Sequence, residues 1–403
     1  MKLETITQSI FDGKHGDCKN KNGSGCYFIS VKDLREYDID YSNAREIDES
    51  DFSQAYARTN LESGDTIYAN TGDTIGKSIF VVENELIKRT AFQKSLAVIK
   101  PNVEFVEPRY LYYLLKYETP RLRKAATGSG QKNLLLSTMR DFSVDIIERG
   151  KQKKLVEVLG GIDDKIRINN AINDNLAQQA KLLYDYWFTQ FDFPDENDKP
   201  YRSSGGQMVW NDLLKKKIPL GWEVKTLSEL LKKNTQSFDY LSVQPTIDLS
   251  VMPSDSIALS QINSSDNFST NLYVMKKGDI LFGSIRPYLH KAGIAPCDGA
   301  VAGTVHSYHT INPNDYNFSM LTMARDSFFD YAVNTSSGTK MPVVSSDSIL
   351  SFKFAYSKEV AKKFNSVPIM EIITRNVQET QRLIKLRDFL LPLLMNGQAT
   401  IAE

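Results

Sequence analysis

The chain has 403 residues, 41% hydrophobic and 24% charged, ordinary figures for a globular protein, and at roughly 100–200 residues per domain it holds two to four domains. Its 49 basic and 49 acidic residues cancel, so a nucleic-acid binder of this composition must gather positive charge on one face or borrow it from a partner. Cys18, Cys26 and Cys297 give neither a disulfide framework nor paired zinc-ligand spacing, no signal-like apolar stretch opens the chain, and no apolar run reaches about 18 residues; a membrane span is excluded and a cytoplasmic location expected.

Residues 1–150 read as one mixed globule. Gly64-Asp65-Thr66-Ile67-Tyr68-Ala69 is a turn entering a strand. Ser78–Val82 and Leu96–Ile99 suit strands by their β-branched content, and Tyr110–Lys116 sets Leu111, Leu114 and Leu115 on one helical face. Gly72-Asp73-Thr74-Ile75-Gly76-Lys77-Ser78 approaches a P-loop, but that cradle needs four residues between its glycines and here there are three. A strand–turn–strand connection is expected, with Lys77 available to DNA.

From Leu155 to Leu183 the chain turns helical. Ile162, Ile166, Asn169, Asn173, Leu176, Ala180 and Leu183 recur at alternating spacings of four and three, the seam period of a coiled coil. A short helix, Lys151–Leu159, precedes this run, and Gly160-Gly161 is expected to break the two apart. Residues 151–191 form this central spacer region. Residues 192–221 have the Pro, Gly, Ser and charge content of a linker. Its Asp195, Glu196 and Asp198 are consecutive acids on one segment, not nuclease carboxylates converging from separate elements.

Residues 222–356 then repeat the first globule. Gly278-Asp279-Ile280-Leu281-Phe282-Gly283 matches Gly64–Ala69, and Lys291 follows as Lys77 does, at an offset of 214. Gly338-Thr339-Lys340 pairs with Gly130-Gln131-Lys132 at an offset of 208. Residues 357–403 repeat the helix at an offset of 207, with Ile369, Ile373, Asn376, Thr380, Leu383, Arg387 and Leu390 on the seam. Here the short helix is Lys358–Asn365 and the break is Val367-Pro368. Asn169 and Asn376 hold the same seam position, so they are expected to meet and fix the register.

Catalytic and metal motifs are incomplete. His306 and His309 lie three apart with Cys297 upstream, but no third and fourth ligand stands at zinc spacing. Asn312-Pro313-Asn314-Asp315 lacks the second proline and the aromatic of the adenine-methyltransferase motif, and no GxGxxG turn follows a strand. No metal, cofactor or intrinsic catalysis is expected.

The order globule–helix–globule–helix carries characteristic fragments. They are Ala180-Lys181-Leu182-Leu183-Tyr184-Asp185-Tyr186-Trp187-Phe188, Phe191-Asp192-Phe193-Pro194, Tyr201-Arg202-Ser203-Ser204-Gly205-Gly206, Ile218-Pro219-Leu220-Gly221-Trp222 and Leu386–Gly397. Together they resemble the specificity subunit of type I restriction-modification systems, over the whole chain. The resemblance implies an α+β fold in which two tandem target-recognition domains alternate with two long helices. These helices pair as an antiparallel coiled coil, an internal duplication with pseudo-two-fold symmetry. It also implies that each domain reads one half of a bipartite double-stranded DNA target. The helices set the spacing and dock two methyltransferase subunits, and restriction/translocase subunits join through these. Family members often open with a lead-in like Gly221-Trp222-Glu223-Val224, where this chain has Met1-Lys2-Leu3-Glu4, so the first strand of domain one is expected to be trimmed.

Polar loop residues near the duplicated glycines are the DNA-contact candidates. In the first domain they are Lys14, His15, Arg58, Asn70, Lys77, Gln131 and Lys132; in the second, Ser284, Arg286, Tyr288, His290, Lys291, Thr339 and Lys340. Arg and Lys suit guanine edges or phosphate, and Asn and Gln suit adenine. Two readings from other classes are a nucleotide-binding enzyme using Gly72–Ser78 and a purely structural coiled-coil adaptor.

Overall fold

The protein is described by a computed structural model over residues 1–239 and 242–401. Its contacts divide it into one unit of Met1–Arg167 with Leu383–Glu403 and another of Ile168–Arg382. Both divisions fall inside the long helices rather than at the ends of the globules.

The β-branched runs become strands, and each unit builds the same antiparallel four-stranded sheet. In the first, the order is Thr7–Asp12, Leu96–Pro101, Thr66–Ala69, Ser78–Phe80. In the second it is Leu231–Lys233, Val305–Thr310, Ile280–Gly283, Ala292–Ile294. Thr66–Ala69 and Ile280–Gly283 are buried along their whole length. Each unit adds a second sheet with one parallel pair, three-stranded in the first unit and four-stranded in the second: Tyr27–Ile29 beside Thr90–Phe92 and Pro245–Ile247 beside Gly299–Ala302.

The repeated Gly-Asp has a structural basis. Gly64 and Gly278 have φ of 91° and 86°, a left-handed turn that glycine adopts without a Cβ clash. The following carboxylates close the turn from inside. Asp65 accepts from Glu62 N and Lys100 Nζ, both at 2.8 Å; Asp279 accepts from Lys276 N at 2.7 Å, Asn234 Nδ2 at 2.6 Å and Ser307 Oγ at 2.9 Å. Burial pushes both carboxyls above their ordinary range.

The helix expected to break at Gly160-Gly161 runs unbroken from Arg149 to Tyr184. Glycine weakens a helix but keeps its backbone donor, and here its missing side chain is used. The Arg109 guanidinium lies where a Cβ on Gly160 would come within 3.2 Å, and it pairs with Asp164 one turn on, at 2.9 and 3.0 Å. The second copy does break, between the helices Lys358–Asn365 and Ile369–Met395, because Pro368 has no N–H to donate.

Within each unit the helix segments pair antiparallel. In the first, Asp163 meets Arg387 at 3.2 Å. In the second, Asn169 donates to Glu379 at 2.8 Å and Asn376 donates to Asn173 at 3.0 Å. The expectation that Asn169 and Asn376 meet is therefore corrected: the register is one helical turn away from the one that would join them.

The seam also differs from the even pattern. Ile166, Asn169 and Ile373 are buried, but Ile162, Leu176, Leu183, Ile369, Asn376, Leu383 and Leu390 are only half-buried. Their neighbours Asp163, Ala177, Tyr184, Met370 and Val377 are buried instead. Each helix packs against its partner helix and against a globule as well, so the buried stripe is wider than a two-helix seam. Tyr184, for example, sits against Phe318 and Phe188 with ring centroids 5.6 and 5.0 Å away.

Residues 192–221, expected as a linker, are packed into the second unit. Phe193 stacks on Tyr201 at 4.8 Å and meets Trp222 at 5.1 Å, and Met208–Asn211 and Lys216–Pro219 form a hairpin. The second unit pairs Glu223–Thr226 with Lys353–Tyr356; in the first, Lys2 and Ser143 form a single bridge. Among the described residues, no helix is long and apolar enough to cross a membrane.

Candidate nucleic-acid interface

In both units two loops clamp together beside the four-stranded sheet, through the same backbone bonds. In the first, Leu134 N donates to Asn70 O at 2.8 Å and Gly72 N to Lys132 O at 2.7 Å. In the second, Val344 N donates to Ser284 O at 2.9 Å and Arg286 N to Pro342 O at 2.8 Å. The outer loop is closed on itself by a reciprocal pair, Thr127 with Asn133 at 3.0 and 2.7 Å and Ser337 with Val343 at 3.0 and 2.8 Å.

This geometry revises the alignment of the repeat. Gly128 and Gly338, with φ of 124° and 93°, hold the same place at an offset of 210. Gly130 therefore does not match Gly338, and Gln131 and Lys132 correspond to Met341 and Pro342. A hydroxyl–glycine–hydroxyl triplet, Thr127-Gly128-Ser129 and Ser337-Gly338-Thr339, carries the correct alignment in the sequence. It also brings forward Met341 and Val343, 51% and 38% exposed, two apolar residues among the polar ones of this loop.

The near-P-loop sits in the inner loop of the first clamp. It joins the antiparallel strands Thr66–Ala69 and Ser78–Phe80, so no helix follows it. Its N–H groups are already engaged: Gly72 to Lys132 O, Ile75 to Gly72 O, Gly76 to Ala69 O and Lys77 to Thr74 O. These four are not free to surround a phosphate.

Many of the candidate side chains serve the fold. Lys14 pairs with Asp51 at 2.7 Å; His15 and Arg58 converge on Asp12 at 2.7 and 2.5 Å. Asn70 is buried, and its amide, turned to satisfy both ends, reaches Ser95 O at 2.7 Å. Ser284 is buried on Thr304 O at 2.9 Å. Lys77 and Lys291 do the same work in the two units, each reaching a carbonyl two residues past the parallel strand, Val31 O at 3.4 Å and Leu249 O at 2.5 Å. Partial burial lowers both ammonium groups. His290 stacks on Phe329 at 4.4 Å, with its Nδ1 2.9 Å from Asp255 and 3.7 Å from Asp326.

The remaining candidates form one class. Gln131, Lys132, Arg286, Tyr288, Thr339 and Lys340 are exposed on the clamp loops, and the described residues give their side chains no hydrogen bond or ion pair. Of the two histidines near Cys297, His309 bonds Asn234 at 2.9 Å, and His306 is half-buried, with its Nε2 enclosed and unpartnered and its pKa pushed down to about 4.

An α+β unit is thus written twice, each copy with loops clamped at one sheet edge and a long helix following. The type I restriction modification DNA specificity domain matches residues 14–178. The chain is 25% identical to the type I restriction enzyme MjaIX specificity subunit of Methanocaldococcus jannaschii, over 94% of this chain and 88% of that one. It is 23% identical to the HindI specificity subunit of Haemophilus influenzae, over 95% and 93%. The fold is shared with the crystal structure of the S subunit from M. genitalium, at a TM-score of 0.54 and 13% identity over 98% of this chain and 95% of that one. The chain is thus similar, along nearly its whole length, to specificity subunits of type I restriction-modification systems.

Proposed function

We propose that each unit reads one half of a bipartite duplex DNA target through its clamped loops. The paired helices set the spacing between the halves and dock two methyltransferase subunits, through which restriction/translocase subunits join. The observation that carries this reading is the duplicated clamp. The same backbone bonds hold two loops together in each unit, and the DNA-contact candidates left without internal partners lie on those loops. A rigid scaffold with differing exposed loop residues is what sequence readout requires. The chain supplies recognition and scaffold, and methyl transfer belongs to the docked subunits.

The balanced charge makes a specific demand. With 49 basic and 49 acidic residues the chain has no net attraction for phosphate, and in this reading the docked subunits supply much of the positive surface. Fluorescence anisotropy with a labelled duplex tests this. The purified chain should bind weakly, and adding methyltransferase subunits should tighten binding by about tenfold or more. Equally tight, sequence-specific binding by the chain alone would overturn the division of labour.

A further inference from the structure

The inner clamp loops of the two units share a backbone with two left-handed positions. In the first unit these hold Gly72 (φ 69°) and Gly76 (φ 94°); in the second, Arg286 (φ 52°) and His290 (φ 51°). Glycine adopts this conformation freely, whereas a side chain is strained there. The other non-glycine residues with positive φ have visible reasons. Asn60, Asp198 and Asp255 are of types that tolerate it; Phe191 is buried against Trp222; Lys215 keeps an ion pair with Asp212 at 3.9 Å. His290 is held by its stack on Phe329 and its bond to Asp255.

Arg286 has no such reason. Its side chain is exposed, and no hydrogen bond, ion pair or ring contact engages the guanidinium among the described residues. Its backbone, by contrast, is fixed: Arg286 N donates to Pro342 O at 2.8 Å, Leu289 N donates to Arg286 O at 2.9 Å, and Pro287 restricts the residue before it, Arg286 itself. A strained, well-anchored residue whose side chain the fold does not use points to use outside the fold.

We propose that Arg286 is a specificity-determining residue of the second unit, its guanidinium reading the edge of a guanine, where the first unit has Gly72 and makes no such contact. This rests on the clamp being the base-contacting surface. A phosphate contact would not require this placement, because a flexible charge suffices and the exposed Lys340 on the facing loop supplies one. A base-edge contact does require a fixed origin, and the planar fork of arginine matches guanine O6 and N7.

The test uses the full chain assembled with its methyltransferase subunits. Arg286→Gly restores the residue the first unit has and removes the strain, so it should melt no lower than wild type. Binding selection from randomised duplexes, alongside methylome sequencing, should show one G·C pair within one half-site losing its preference by about tenfold or more, with the other half unchanged. Arg286→Lys, which keeps the charge but not the fork, should lose the same preference while binding more tightly than Arg286→Gly. An unchanged preference in Arg286→Gly, or a uniform weakening across all duplexes, overturns the proposal; if methylation is lost in cells, the duplex selection decides. Exchanging residues 222–356 for those of a relative is the control: no change in the recognised sequence would mean that the clamp reading itself had failed.

Discussion

Asn376 donates its side-chain amide to Asn173 at 3.0 Å, although Asn169, four residues earlier, is the one that shares its place in the repeat. In the repeat, Asn173 corresponds to Thr380, and Asn169 bonds Glu379 beside it. The duplication thus yields two polar layers a turn apart, each joining unlike positions. Removing Asn376 alone as Asn376→Leu strands the Asn173 amide and should cost about 1–3 kcal/mol. Adding Asn173→Leu should recover most of that loss, with a coupling in the range of about 0.5–3 kcal/mol. Asn169→Leu combined with Asn376→Leu should couple less strongly. Double-mutant cycles by denaturant unfolding measure both; equal coupling would contradict this register.

A second layer breaks the symmetry of the repeat. In the first unit, Arg387 is buried at 4% exposure between Asp163, at 3.2 Å, and Glu36, at 3.2 Å, and it also bonds the Tyr37 hydroxyl. Tyr113 donates to the same Asp163 at 2.7 Å. The corresponding positions in the second unit hold Met370 and Ala180, both buried and apolar. Arg387→Ala should cost about 3–5 kcal/mol, because it leaves Asp163 charged and unpaired. Asp163→Met with Arg387→Ala copies the other unit's layer and should cost clearly less, though Tyr113 and Tyr37 lose their partners. A double variant as unstable as the single one would show that the ion pair itself is not the source of the loss.

His306 predicts an acid sensitivity of the second unit. Burial, with Lys233 nearby, pushes its pKa from the ordinary 6.5 down to about 4. The fold therefore favours the neutral ring. Stability from this group is complete above pH 6.5 and is lost as pH falls towards 4, where the unfolded chain takes up the proton first. The full effect is on the order of 3 kcal/mol. Burial raises Asp279, which works the other way, so the comparison must be with a variant. The loss in melting temperature between pH 7 and pH 4.5 should be smaller in His306→Gln than in wild type; equal losses would contradict it.

The repeat, the helices and the order of the parts were legible because period and spacing survive in one sequence. Gly64-Asp65 and Gly278-Asp279 were found because a left-handed glycine and a buried carboxylate leave little choice of residue. What the sequence hid was context. A glycine pair reads as a helix break until Arg109 is seen packed over Gly160. A Pro- and Gly-rich stretch reads as a linker until Phe193, Tyr201 and Trp222 are seen stacked together. The polar loop residues could not be sorted, since a lysine that bonds a carbonyl, such as Lys77, looks like any other lysine.

The central claim, one unit for one half of the DNA target, is tested most directly by methylome sequencing after exchanging residues 222–356 for those of a relative with a different target. The recipient is a host carrying the complete system. The account predicts that one half of the methylated sequence takes the relative's bases while the other half stays as in wild type. A change in both halves together, or in neither, would contradict it.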